Sequence, residues 1–188
     1  MTARGWLTAG GLALLLVAAG AVGTLTPTDQ WQDPFLVAAP MGDRAIGRDI
    51  QGTVHGITLA DEVHDGSWSS GEGSLWVIVD TGLETRTRDG MLGLSTLQVG
   101  DRLYSASDRP PSSTLRRGSL TVGIPTRGVL AFELPDTILD DAGADTAELR
   151  LAVSDDPRLD SVLVTPVSLA ELPHEESLEL EPPVWGHG

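Results

Sequence analysis

The hydrophobic pattern divides the chain into one long apolar run at the N-terminus and many short apolar segments after it. Residues 5–25 carry no charge, and a lone Arg4 precedes them. A helix needs roughly 20 apolar residues to span a bilayer core, so residues 1–25 are predicted to form a signal-anchor transmembrane helix. Since the cation precedes the run and acids follow it, the N-terminus is predicted to be cytoplasmic and the remainder extracellular. The predicted membrane-anchoring side chains are Trp6, Leu12, Leu14, Leu15, Leu16 and Val17.

A cleaved signal peptide is the alternative interpretation of the same run. Ala21 and Gly23 are small residues of the kind found before a cleavage site, and cleavage near Gly23 would give a secreted protein. The apolar stretch is longer than in an ordinary signal peptide, which favours the uncleaved anchor. Residues 26–34 are then a polar juxtamembrane linker.

Beyond the linker, short segments with β character alternate with clusters of Gly, Pro, Asp and Ser. The run from Trp76 to Val79 is continuously apolar, which is typical of a central strand covered on both faces. Gly100 and Asp101 predict a tight hairpin turn. The many short strands favour an all-β sandwich or barrel over βαβ units. Strands are predicted at 35–38, 50–59, 75–83, 94–99, 102–106, 120–124, 128–134, 147–153 and 161–167.

The strands predict one core within a domain that spans residues 35–172. The C-terminal residues 173–188 are acidic and contain no arginine. This composition favours a partly disordered tail, although Leu178 and Leu180 alternate with acids as in an edge strand. The predicted core residues are Val54, Ile57, Leu59, Val77, Val79, Leu97, Leu103, Leu120, Val129, Phe132, Leu149, Leu151, Val162 and Val164.

Composition excludes several classes of function. The chain has no cysteine, which excludes disulfides, thiolate metal sites and lipoprotein processing. All basic residues are arginine, and Ala, Gly and Leu are abundant, which is typical of a GC-rich genome such as that of an actinobacterium. The formal net charge of −15 repels phosphate backbones, so no nucleic acid partner is predicted.

The sequence contains no recognisable catalytic motif, and a non-catalytic protein without a cofactor is predicted. Gly-x-Ser-x-Gly is absent, and without lysine a phosphate-binding loop of the Gly-Lys type cannot form. His64 has Asp61 and Asp65 nearby but no second histidine for zinc. The acidic clusters at 140–145 and 155–160 lack EF-hand spacing. A metal-dependent hydrolase built on these clusters is the alternative from the enzyme class.

Five residues are candidates for partner binding. Trp68 lies in a Gly/Ser loop and is predicted to be either an interface anchor or a lid over the core. Arg109, Arg116 and Arg117 form the only basic concentration of the domain, suited to carboxylates of a partner or of the tail. Trp185 in the tail is a candidate docking residue, with chance exposure as the alternative.

Three segments resemble a known family of exported bacterial domains. They are 47–54, which begins Gly-Arg-Asp-Ile, 75–80, and 128–135, an apolar-Phe-acidic-apolar-Pro strand. The chain from about residue 35 to 170 resembles domains of the DUF4352 type and is similar in layout to secreted immunogenic Ig-like antigens of mycobacteria. This resemblance implies an immunoglobulin-like antiparallel β-sandwich and a role in extracellular binding or envelope association, and it implies no catalytic residues.

These observations together predict a membrane-tethered interaction module with a protein partner in the cell envelope. The alternative is an accessory subunit of a membrane transporter or secretion complex that docks through its anchor helix. Small residues at Gly10, Gly11, Ala18, Ala19, Gly20 and Gly23 would let another helix approach closely.

Overall fold

Alternating apolar residues build two β-sheets that pack face to face in the computed structural model of the chain. The structure describes residues 33–71, 73–110 and 112–186. The strands are β1 (Phe35–Ala38), β2 (Arg44–Ile46), β3 (Ile50–His64), β4 (Leu75–Thr85), β5 (Leu94–Val99), β6 (Arg102–Ser105), β7 (Thr126–Leu134), β8 (Ala147–Ala152), β9 (Ser161–Val167), β10 (His174–Glu179) and β11 (Val184–Trp185). Short 3₁₀ turns lie at Leu115–Arg117, Asp136–Asp140, Ala144–Thr146 and Leu169–Glu171.

The predicted anchor and its membrane-facing side chains lie outside the described residues. In the parts of the chain that are described, no helix combines the length and the apolar character needed to cross a bilayer.

The strand order confirms the prediction of an all-β sandwich. The first sheet has the order β1-β9-β8-β5-β6, and the second has the order β10-β3-β4-β7-β11, with β2 paired to β3. The expectation of purely antiparallel sheets is wrong at two edges, where β1 runs parallel to β9 and β10 runs parallel to β3. Both edge strands are far in sequence from their partners, so no hairpin forces an antiparallel direction.

The predicted strand at 120–124 is wrong as a continuous strand. Leu120 and Val122 make only isolated bridges, to Gly90 and Thr85. Gly123 has a φ of +70° and Pro125 follows two residues later, so the segment turns instead of extending. Conversely, β3 is longer than predicted and continues to His64.

Twelve of the fourteen predicted core residues are buried. The prediction that Leu103 belongs to the core is wrong, since this residue is 64% exposed on the edge strand β6. It pairs with Gln98, whereas Tyr104 pairs with the buried Leu97 and packs against the inter-sheet core. A one-residue error in phase moves a strand's side chains to the opposite face. The other exception is Val129, which is half-buried outside the inter-sheet core.

The prediction of a partly disordered tail is corrected by β10 and β11. β10 forms one edge of the second sheet and β11 forms the opposite edge. Residues 180–183, called here the strap, connect these two edges. Leu180 at the start of the strap is buried, and its N–H donates to the carbonyl of His64 at 2.7 Å. Burial of this leucine and strand pairing hold the acidic segment in place, while its glutamates face solvent.

Candidate functional site

A second apolar cluster lies on the outer face of the second sheet, away from the inter-sheet core. Val77 and Val79 of β4 point into the inter-sheet core, so Trp76 and Ile78 point outward. This arrangement confirms that β4 is a central strand covered on both faces. The buried members of the cluster are Ala60, Val63, Trp76, Ile78, Ala131 and Leu180.

Trp68 covers one end of this cluster as a lid. Its ring meets that of Trp76 in a T-shaped contact with centroids 5.9 Å apart and planes at 77°. Asp65 holds the lid loop, since its Oδ1 accepts a hydrogen bond from the Trp68 N–H at 2.9 Å. Its Oδ2 accepts one from the Ser113 hydroxyl at 3.2 Å.

The hydrogen bonds to Asp65 also set its protonation. Desolvation is the largest single influence and raises the pKa of Asp65, but the bonds from Ser67, Ser113 and Trp68 together outweigh it. The pKa of Asp65 therefore lies below its usual value, and the carboxylate that holds the lid stays ionised at neutral pH.

Arg109 lies beside the lid. Its guanidinium carbon lies 5.9 Å from the centre of the Trp68 ring. Its Nη1 donates to both carboxylate oxygens of Glu133, at 2.6 and 2.7 Å. The structure thus brings together two predicted partner-binding residues, and sequence reasoning missed Glu133, their acidic companion on β7.

Arg116 and Arg117 lie elsewhere in the same loop and contact local groups. Arg117 Nε donates to Asp108 at 3.2 Å, and this bond is the main cause that lowers the pKa of Asp108. Arg116 Nη1 donates to the carbonyl of Leu92 at 3.1 Å. The predicted arginine concentration is therefore divided between two local carboxylates, Asp108 and Glu133.

Trp185 lies on β11, away from the Trp68 lid. Its backbone pairs with that of Thr126 at the start of β7, and its side chain is 62% exposed. A docking role for Trp185 stays a prediction.

An open groove of about 690 Å³ adjoins the second apolar cluster, and we call it the strap groove. Three strands form its floor, and the strap with its flanking residues forms its wall. Floor residues are Gly56, Thr58, Ile78, Asp80, Arg127, Gly128 and Val129, and wall residues are Leu178, Glu179, Glu181, Pro182 and Val184.

Two glycines shape the groove. Gly56 follows a register shift in β3, and a Cβ built there meets no atom within 4 Å, so the position opens into free space. Gly128 has the opposite role, because a Cβ there would lie 3.1 Å from the Pro183 side chain. Its missing side chain lets the strap pack closely on β7.

The charged groups of the floor are paired with each other. Arg127 binds Asp80 through two hydrogen bonds, at 3.1 Å from Nε and 2.7 Å from Nη2. The glutamates of the wall, Glu179 and Glu181, are exposed and make no ion pair with any described residue.

The histidines near β10 bind single polar partners. His174 Nε2 lies 2.8 Å from Asp61, and His64 Nδ1 lies 3.3 Å from the Ser177 hydroxyl. Across the ranges that the structure describes, no three His, Cys, Asp or Glu residues converge as a metal ion requires.

A pair of carboxylates, Asp49 and Asp160, interacts away from the groove. Burial is the largest influence on Asp160 and raises its pKa, and the neighbouring Asp49 adds to this rise. The hydrogen bond from Thr87, at 2.8 Å, is the main cause that lowers the pKa of Asp49.

Comparisons with known proteins give one distant structural similarity. No family model matches the chain, and no curated protein matches it. Among solved structures, it is similar to an uncharacterized beta-sandwich protein from Clostridium difficile 630, with 11% identity and a TM-score of 0.49. That match covers 76% of this chain and 99% of the other. The sandwich architecture described above rests on the strand pairing itself.

Proposed function

We propose that this chain is a non-catalytic, extracytoplasmic interaction module that receives a partner in the strap groove. In this proposal the domain is an immunoglobulin-like sandwich of the DUF4352 type, and the apolar segment at residues 1–25 tethers it to the cell membrane. The partner is a protein of the cell envelope.

The strap groove is the observation that carries the proposal. Its lining exposes Val184 and, in part, Val129 and Leu178, and Gly56 on its floor has no side chain. Concave surfaces that combine apolar walls with a few polar groups are the usual form of ligand sites. The charged groups of the floor pair with each other, as Asp80 does with Arg127, so the floor presents no unpaired charge to a partner.

Site-specific photo-crosslinking in native cells tests this proposal. A benzophenone amino acid replaces Thr58, which lines the groove, or Thr96 on the outer face of the first sheet, as a matched control. Both threonines lie on strands and are half-buried. We expect a discrete crosslinked product of higher mass from position 58 and none from position 96.

Equal products from both positions, or none from either, would contradict a partner site in the groove. Mass spectrometry of the product then identifies the crosslinked molecule. A product that contains only lipid would also count against the proposal.

A further inference from the structure

The lining of the strap groove combines apolar side chains with two exposed carboxylates on the wall. Val129 on the floor and Leu178 on the wall are half-buried and Val184 is exposed, whereas Ile78 is buried. Glu179 and Glu181 flank the start of the strap and line the same groove. An occupant therefore meets apolar side chains of floor and wall together with the carboxylates of the wall.

The positive charge in the groove is already neutralised. Arg127 is the only basic residue that lines the groove among the described residues, and Asp80 binds it through two hydrogen bonds. The remaining charges on the lining are the two glutamates, so the groove carries a net excess of two negative charges. The formal charge of the whole chain, −15, has the same sign.

The lining disfavours two other classes of ligand. No described residue that lines the groove is aromatic, so a sugar ring would find no platform on which to stack. Phosphate-bearing ligands would be repelled by Glu179 and Glu181. The groups that remain complementary are aliphatic carbon and a cation.

We infer that the strap groove binds a polypeptide segment in which an apolar side chain lies between lysine or arginine residues. The apolar side chain enters the groove that Gly56 leaves open and contacts the half-buried Val129 and Leu178 of its lining. The cationic side chains reach Glu179 and Glu181 on the wall. This inference rests on the proposed function and specifies the partner class for that site.

The test measures binding of short fluorescein-labelled peptides to the full chain in detergent, followed by fluorescence anisotropy. One peptide has a leucine between lysines, and the other has a leucine between glutamates. The variant Glu179→Gln/Glu181→Gln removes the wall charges. The matched control, Glu175→Gln/Glu176→Gln, removes two exposed charges of β10 that do not line the groove.

We expect the lysine peptide to bind and the glutamate peptide to bind more weakly. Loss of the two wall charges should weaken binding of the lysine peptide roughly five- to tenfold, as expected for two exposed ion pairs. The control variant should bind nearly as the natural chain does. Because exposed charges are screened by salt, the difference between variants should shrink at high ionic strength.

Equal affinity for the two peptides, or equal weakening by the two variants, would overturn the inference. A crosslinked product from position 58 whose partner segment is acidic would refute the cationic class while leaving the proposed function intact. A lysine peptide that binds while position 58 gives no product in cells would instead contradict the proposed function.

Discussion

Leu180→Ala tests whether the acidic C-terminal segment is part of the folded domain. Leu180 is 3% exposed and packs in the second apolar cluster, at the point where the strap leaves the edge strand β10. The change removes three carbons from a buried side chain and leaves the backbone hydrogen bond to His64 in place.

The expected loss of stability follows from the buried carbon. At about 0.8 kcal/mol per buried CH₂, three carbons contribute about 2.4 kcal/mol. A cavity term is added where the surroundings cannot collapse, and measured Leu→Ala losses run from about 2 to 5 kcal/mol. The next strap residues, Glu181 and Pro182, are exposed, so the strap can settle partly into the space. We therefore expect a loss of about 2–3 kcal/mol.

Urea unfolding of the full chain in detergent, followed by tryptophan fluorescence, measures this loss. Trp76 is fully buried in the same cluster as Leu180 and reports on its integrity. Val184→Ala is the matched control, because Val184 is 51% exposed at the far end of the strap. Exposed substitutions of this kind usually change stability by less than about 0.5 kcal/mol.

A Leu180→Ala change within about 0.5 kcal/mol of the natural chain would refute this reasoning. Hydrogen exchange at the Leu180 amide separates local from global opening. If the strap opens by itself, exchange at that amide accelerates in the variant while the global midpoint moves little.

Three further predictions concern the Trp68 lid, the carboxylate pair Asp49 and Asp160, and which side chains of the edge strand β6 point into the core. Trp68→Ala should destabilise the domain by about 1–2 kcal/mol, since an aromatic pair adds about 0.5–1.5 kcal/mol beyond burial, and should red-shift the fluorescence of Trp76 as water reaches it. Asp160→Asn should raise the melting temperature at pH 7, because the folded-state pKa of Asp160 is raised and the natural chain therefore loses stability as pH rises through that pKa. The gain in melting temperature should vanish below the unfolded-state pKa near 3.8. A gain that stays constant across a pH series of thermal melts would be inconsistent with this origin. Leu103→Ser should leave the midpoint of urea unfolding nearly unchanged, whereas Tyr104→Ser should lower it clearly. The opposite result would mean that Leu103 points into the core, as the sequence predicted.

The strong β patterns allowed most of the inter-sheet core to be predicted from the sequence. In β8 the apolar residues Leu149 and Leu151 alternate with Glu148 and Arg150, so the inward face is unambiguous. β6 has only four residues, with Leu103 and Tyr104 adjacent, and such a pair carries no phase information.

The groove could not be predicted because it depends on contacts between distant segments. Because the residues around Leu178 and Leu180 are mostly acidic, the composition of this segment predicted a disordered tail. In the structure, these two leucines pack against the apolar outer face of the second sheet, in one cluster with Ala60 and Val63. Ala60 and Val63 lie more than a hundred residues earlier in the sequence. The apolar residues on the outward face of β4 were the one available signal for this contact. They indicated that another segment must cover the outer face of the sheet, but the sequence did not identify that segment.

The most direct test of the central claim is to fill the groove at Gly56. A side chain at this position projects into open space, so Gly56→Trp should occupy the groove without disturbing the packing beneath it. The measurement is the yield of the crosslinked product from position 58 in cells, together with the unfolding midpoint of the variant. The account predicts that the product disappears while the midpoint stays that of the natural chain. A product that persists at full yield with tryptophan in the groove would contradict the claim that a partner binds there.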